Sequence, residues 1–136
     1  MKKNNIGIVG LGDISFKHRK AINKISHFNL IATCDPKKKI SNNKNYRSID
    51  EMLKFEKDLN TVAIMTPSSQ HFKQVLKCLN NKKDVIVEKP ICMNLKQLKK
   101  IMHYEKKFKK KVFIVHQNRL KLNINFVKKK IDKKEL

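Results

Sequence analysis

A chain of 136 residues has the length of one domain and is too short for two of ordinary size. Its 33 basic and 11 acidic residues give a net charge of +22, which on its own suggests a nucleic-acid or membrane partner. The detail argues otherwise. Arg19, Arg47 and Arg119 are the only arginines, no aromatic residues alternate with the lysine clusters, and no run approaches the roughly 20 apolar residues of a membrane span. Lys, Asn and Ile share A/T-rich codons, so base composition accounts for the excess of lysine, and a solvated lysine-rich surface is expected rather than specific nucleic-acid binding.

Three cysteines, Cys34, Cys78 and Cys92, are an odd number at wide spacing, without a CxxC pair or a Cys/His metal pattern. Buried or half-buried thiols in a reducing compartment are expected, and no metal site. The amino-terminal Met1-Lys2-Lys3 is basic, but the apolar run behind it is too short for a signal-peptide core. The expected location is the cytoplasm.

In chain order, the apolar run Ile6–Val9 reads as a strand. Ile14, His18, Ile22 and Ile25 follow at helical spacing over 14–26. Leu30–Cys34 is a second run, and 49–55 a short helical patch. Thr61–Met65 is a third run, and 69–80 is helical through Phe72, Val75, Leu76 and Leu79. Val85–Val87 is a fourth run. Leu95, Leu98, Ile101, Met102 and Phe108 mark the longest helix, and Val112–Val115 is a fifth run. Short β-branched runs without alternation are strands buried on both faces. Alternating with helices, they predict an α/β domain, a doubly wound parallel sheet of Rossmann type over residues 1–118. Ligands of such sheets bind beyond the carboxyl ends of the strands.

The chain has only three glycines, Gly7, Gly10 and Gly12, all at the end of the first predicted strand. Gly10 and Gly12, with small Ser15, match G-x-G-x-x-(small). The first glycine permits the tight turn, the second lets a pyrophosphate approach the backbone, and the small residue lets helix and strand pack. A helix starting near Asp13 presents free N–H groups and a positive dipole end to phosphates. Asp35 ends the second run, 23 residues after Gly12. A carboxylate there can accept hydrogen bonds from the adenosine ribose and favours NAD; the lesser alternative is a turn residue before Pro36. Lys37, Lys38 and Lys39 follow and can neutralise a 2′-phosphate, so NADP stands as the alternative cofactor.

Together these segments resemble the glucose-fructose oxidoreductase / inositol dehydrogenase (Gfo/Idh/MocA) family. The resemblance rests on Gly7 to Ile14 with Lys17-His18, on Thr66-Pro67 with His71, on Glu88-Lys89-Pro90, and on Val115 to Arg119. It implies hydride transfer between NAD(P) and a sugar or sugar-nucleotide hydroxyl. Lys89 is implied as the catalytic residue, since an ammonium at a strand's carboxyl end can pass a proton or stabilise an oxyanion. The implied cofactor contacts are Gly7, Gly10, Leu11, Gly12, Asp13, Ile14, Asp35, Thr66, Pro67, His71, Glu88, Lys89 and Gln117. Ser68 or Ser69 is a candidate cap for the helix that follows Pro67, and His18 is a candidate to lie under the cofactor loop. His71 reads equally as a packed residue.

Family members run to a second domain that carries the substrate pocket and the oligomer interface. Residues 119–136, with Ile124, Phe126, Val127 and Ile131, resemble the helix that begins it. The expectations are truncation, a second polypeptide or homo-oligomer completing the site, or a non-catalytic NAD(H)-binding module.

Overall fold

The structure is a computed structural model that describes residues 3–41 and 43–135; Met1 and Lys2 of the targeting argument lie outside the described residues. Strands β1 (Asn4–Val9), β2 (Phe28–Cys34), β3 (Lys44–Tyr46), β4 (Thr61–Ile64), β5 (Asp84–Val87) and β6 (Val112–Ile114) form one sheet in the order β3-β2-β1-β4-β5-β6. Every pairing is parallel. Helices α1 (Asp13–Lys24), α2 (Ile49–Phe55), α3 (Ser68–Asn80), α4 (Leu95–Phe108) and α5 (Leu122–Asp132) connect or follow the strands, with a 3-10 turn over Gln117–Leu120. This is the doubly wound architecture predicted from the alternation of runs.

Side chains along a strand point alternately to the two faces, so each apolar run feeds two layers. Ile6, Ile8, Ala63 and Met65 pack beneath α1 with Ile22. Val9, Val62, Ile64, Val85 and Val87 enter the opposite layer with Met52, Val75, Leu79 and Ile101 from α2, α3 and α4. The α1 layer is the narrower one. Phe113 of β6 stands opposite Ile86 in the register and is 57% exposed.

β3 is a sixth strand where five were predicted. Lys44-Asn45-Tyr46 carries no apolar run, and polar bonds hold it at the sheet edge instead. The Thr33 hydroxyl donates to Asn45 Oδ1 (2.7 Å), and the Asn45 amide donates to the carbonyls of Ile40 and Asn43. The Tyr46 hydroxyl donates to the buried carboxylate of Glu56, which also pairs with Lys44 at 3.1 Å. Burial, then the bond to Glu56 and its charge, pushes the Tyr46 phenol up to about 12. Replacing Glu56 by Leu leaves the Tyr46 hydroxyl without its partner, a loss of roughly 1–3 kcal/mol. Thermal unfolding should register it as a melting temperature several degrees lower; an unchanged midpoint would mean that this cluster does not anchor β3.

Neither Ser68 nor Ser69 caps α3. Pro67 stands at the N-cap with no side-chain bond, and the first turn begins at Ser68 itself. The predicted carboxyl-terminal helix is present as α5, and its Leu122, Ile124, Phe126 and Ile131 are exposed. Among the described residues no helix is long and apolar enough to cross a membrane.

Candidate functional site

In this strand order the crossovers leave β1 and β4 in opposite directions, which opens a crevice at the carboxyl ends of those two strands. A cleft of about 910 Å³ lies there, within the range of cofactor sites. Gly10 and Gly12 from the turn after β1, Asp35 after β2, and Thr66 and Pro67 after β4 all line it.

The two glycines do different work. Gly10 has φ +91°, and a Cβ built on it would stand 2.8 Å from the Met65 carbonyl carbon and oxygen. Only a residue without a side chain lets the first turn pass so close to the chain leaving β4. Gly12 is the N-cap of α1, and a Cβ there would meet nothing within 4 Å. Gly12 offers no side-chain cap; its carbonyl takes the Ser15 N–H at 3.0 Å, and the N–H groups of Asp13 and Ile14 before it have no intrahelical partner. Donors and the positive end of the α1 dipole are therefore available to an anion at the cleft. Asp13 is the exposed first residue of α1; Leu11 is buried, and Ile14 packs into the α1 layer.

Asp35 serves the turn and lines the cleft. Its Oδ2 accepts the Leu11 N–H at 2.9 Å, and its Oδ1 accepts the N–H groups of Lys37 and Lys38 at 2.9 Å each. Burial is the largest single influence on this carboxyl and pushes it up. The three backbone bonds and the charge of Lys38 outweigh burial and hold it below its ordinary value. An ionised carboxylate has about four acceptor positions, so capacity remains for a hydroxyl. Cys34 contributes to the cleft floor, and burial, then the charge of Asp35, pushes its thiol up to about 12, which keeps it protonated and inert.

Other cleft residues were not singled out from the sequence. Arg47 and Ser48 follow the strand that was missed. Gln70, Gln74 and Lys77 come from one face of α3, at a spacing of four and three that the helical pattern contained. The Thr66 hydroxyl donates to Gln74 Oε1 at 2.6 Å, and the Gln74 amide donates to Gln70 Oε1 at 3.1 Å. Lys77 pairs with Asp50, which leaves Lys37, Lys38 and Arg47 as the cations beside Asp35.

Of the expected contacts, Gly7, Leu11, Asp13, Ile14, His71, Glu88, Lys89 and Gln117 do not line this cleft. Gly7 is inside β1, where a Cβ would meet Met52 Sδ at 3.0 Å; its role is packing against α2. His71 is 1% exposed and offers the cleft no surface. Its Nδ1 lies 2.7 Å from the Pro90 carbonyl oxygen and its Nε2 2.7 Å from that of Thr66. A carbonyl only accepts, so the neutral ring donates to one of them and the imidazolium to both. Gln117 begins the 3-10 turn after β6, exposed and outside the cleft.

Glu88 and Lys89 follow β5. Val87 faces the α2–α4 layer, so strand alternation sends Glu88 to the α1 side, where His18 Nε2 meets its Oε1 at 2.8 Å. Both side chains are largely buried, and Lys89 beside them is exposed.

The residues present suit a dinucleotide. The space at Gly12, the uncapped helix start and the carboxylate after β2 are the groups that pyrophosphate and ribose require, in the strand-to-helix context that makes them specific. Fold and cleft thus define a dinucleotide-binding domain of Rossmann type. Residues 4–116 match the family model described as "Oxidoreductase family, NAD-binding Rossmann fold", and the chain belongs to that Gfo/Idh/MocA family.

Among its relatives is the galactose 1-dehydrogenase of Pseudomonas fluorescens, 32% identical over 96 residues, which cover 70% of this chain and 32% of that protein. Two solved structures superpose closely. The WlbA dehydrogenase of Bordetella pertussis, in complex with NADH and UDP-GlcNAcA, is 25% identical with a TM-score of 0.90, covering 97% of this chain and 42% of that one. The scyllo-inositol dehydrogenase of Lactobacillus casei, with bound NAD(H) and scyllo-inositol, is 26% identical with a TM-score of 0.85, covering 98% and 42%. The expected cofactor, NAD, agrees with the family description. The chain spans about two-fifths or less of the length of these relatives.

Proposed function

We propose that this chain is the cofactor-binding part of a cytoplasmic oxidoreductase that moves a hydride between NAD and a hydroxyl-bearing carbon of a sugar or sugar-nucleotide. The observation that carries the reading is the cleft at the β1/β4 switch, with open space at Gly12 and an ionised Asp35 across from it. Residues 1–118 form the binding domain and 119–136 lead toward a substrate domain, in the same polypeptide, a partner chain or a second copy.

In this reading the N–H groups at the start of α1 hold the pyrophosphate and Asp35 accepts from the adenosine ribose. Thr66 and Pro67 form the opposite wall. Bound NAD supplies the hydride acceptor. Lys89, exposed at the end of β5, takes the proton of the substrate hydroxyl in its neutral amine form as the carbon is oxidised, and the resulting ammonium returns it in the reverse direction. A second reading is a non-catalytic NAD(H)-binding module: the cleft at the β1/β4 switch accounts for cofactor binding by itself, and Lys89 does not line it.

Calorimetric titration with NADH and NADPH, followed by assay of NAD reduction with galactose, inositols and a UDP-linked uronate, separates the two. Binding with turnover supports the oxidoreductase; binding without turnover on any of these, also after a chain that supplies the substrate domain is added, supports the module. Absence of binding to a folded chain overturns both. Where turnover is found, Lys89→Met should lower it by roughly 10²–10⁴-fold while NADH affinity is retained; a variant as active as the parent would remove Lys89 from the chemistry.

A further inference from the structure

Two histidines bracket Lys89. On one side His18 of α1 holds the Glu88 carboxylate at 2.8 Å, a contact 70 residues apart in sequence. On the other, His71 of α3 reaches the Pro90 carbonyl at 2.7 Å, 19 residues away. The same ring reaches the Thr66 carbonyl at 2.7 Å, and Thr66 lines the cleft. Neither histidine lines that cleft. What they share is the segment Glu88-Lys89-Pro90, gripped at its first and third residues from the two layers of the sheet.

We infer that His18 and His71 are positioning residues that fix the backbone of Lys89 and register it to the cleft wall at Thr66. The physical case is that Lys89 lies just beyond the end of β5, where the ladder no longer restrains the chain. The Glu88 N–H still bonds the Ile64 carbonyl at 3.0 Å, and Val87 receives the Val115 N–H at 3.0 Å. Past that point, side chains must replace the ladder. The grip on Glu88 is charge-assisted through the carboxylate, and the grip on Pro90, itself exposed, comes from a buried ring that packing holds in place. A proton-transferring group needs its geometry fixed to a fraction of an ångström, and an exposed lysine on an unrestrained loop does not have it.

The inference rests on the role given to Lys89, but its test does not need cofactor or substrate. Backbone ¹⁵N relaxation of the free chain reads the order of the Lys89 amide directly. In the wild type the order parameter should lie near the rigid value of roughly 0.85. In His18→Leu and in His71→Leu it should fall toward the flexible range below roughly 0.6 while the amides of β1 and β4 stay rigid. His18→Gln, which keeps a donor for Glu88, should restore it; a general loss of packing would not be rescued this way.

His71 is buried; should His71→Leu fail to fold, His18→Leu and His18→Gln, at a partly exposed side chain, carry the test alone. A rigid Lys89 amide in folded His18→Leu, or one that His18→Gln fails to restore, overturns the inference. Titration of the wild type with NADH is scored separately. Loss of order in the variants without NADH binding would leave the clamp standing and the oxidoreductase reading overturned, and the converse result would do the opposite.

Discussion

Gly10→Ala should lose stability and NADH binding together, whereas Gly12→Ala should lose binding with little cost to stability. At Gly10 the added methyl would collide with the carbonyl of Met65 at 2.8 Å and with the Thr66 nitrogen at 2.9 Å, both backbone atoms that cannot swing aside. An L-residue at φ +91° is strained in addition. Left-handed strain of roughly 1–2 kcal/mol and overpacking of roughly 1–3 kcal/mol together make this a severe substitution for a domain of ordinary stability. The first turn would shift away from β4, and the cleft between them would lose its shape. At Gly12 the methyl would enter open space, with the N-cap φ at −70°, so the cost to folding is limited to alanine being the poorer N-cap, less than about 1 kcal/mol. That open space is where a pyrophosphate would approach the start of α1, and a methyl placed there should weaken NADH binding by at least about tenfold, the scale of 1.4 kcal/mol. Thermal unfolding and calorimetry on the two variants decide it. Full affinity in a folded Gly12→Ala chain would show that no phosphate approaches this turn.

This contrast also marks what the sequence could disclose. Gly10 and Gly12 were legible because a backbone requirement leaves a trace that no neighbouring side chain can supply, and this chain has few glycines to place. Gly7 was read as part of the same fingerprint, yet its nearest neighbours are Met52 and Leu59. Strand alternation already implied this, since Gly7 and Val9 share the face opposite Ile6 and Ile8. The five apolar strands were legible as buried runs. β3 was not, because an edge strand of Lys, Asn and Tyr satisfies its backbone through β2 and its side chains through Asn45 and Glu56, and neither produces a periodic pattern. Missing β3 hid Arg47 and Ser48, which enter the cleft directly after it.

The histidines show a different limit. His18 stood on an amphipathic helix and His71 in a motif, and both readings were local. Their partners, Glu88, Pro90 and Thr66, come from other loops, and those pairings exist only once the strand order is known. The net charge was legible in the opposite sense. The lysine excess was read as a solvated surface and Lys37 and Lys38 as able to neutralise a 2′-phosphate, whereas in the structure both also donate their backbone N–H groups to Asp35. Those bonds depend on the turn, and any residue except proline would make them there.

Asp35 is therefore the position where fold and ligand are hardest to separate, and pH separates them. Its carboxyl lies below its ordinary value in the folded chain, so the ionised form is the one the fold stabilises. The sign follows: the stabilisation is fully present above the unfolded value of about 3.9 and is lost as pH falls through the lower folded value. Asp35→Ala should be less stable than the parent by roughly 1–2 kcal/mol at neutral pH, the scale of hydrogen bonds to a charged acceptor. The part-buried Leu11 N–H accounts for most of this, since the exposed N–H groups of Lys37 and Lys38 regain water. Below the folded value the difference should close, because the parent carboxyl is then protonated and its advantage gone. Unfolding curves of both proteins across the acid range test this; a gap that stays constant with pH would show that the turn draws nothing from the charge. At neutral pH the same variant removes a negative charge beside Lys37, Lys38 and Arg47, which should weaken NADH binding and strengthen NADPH binding relative to it. If the ratio of the two affinities is unmoved while stability falls, Asp35 belongs to the turn and the ribose is held by other groups.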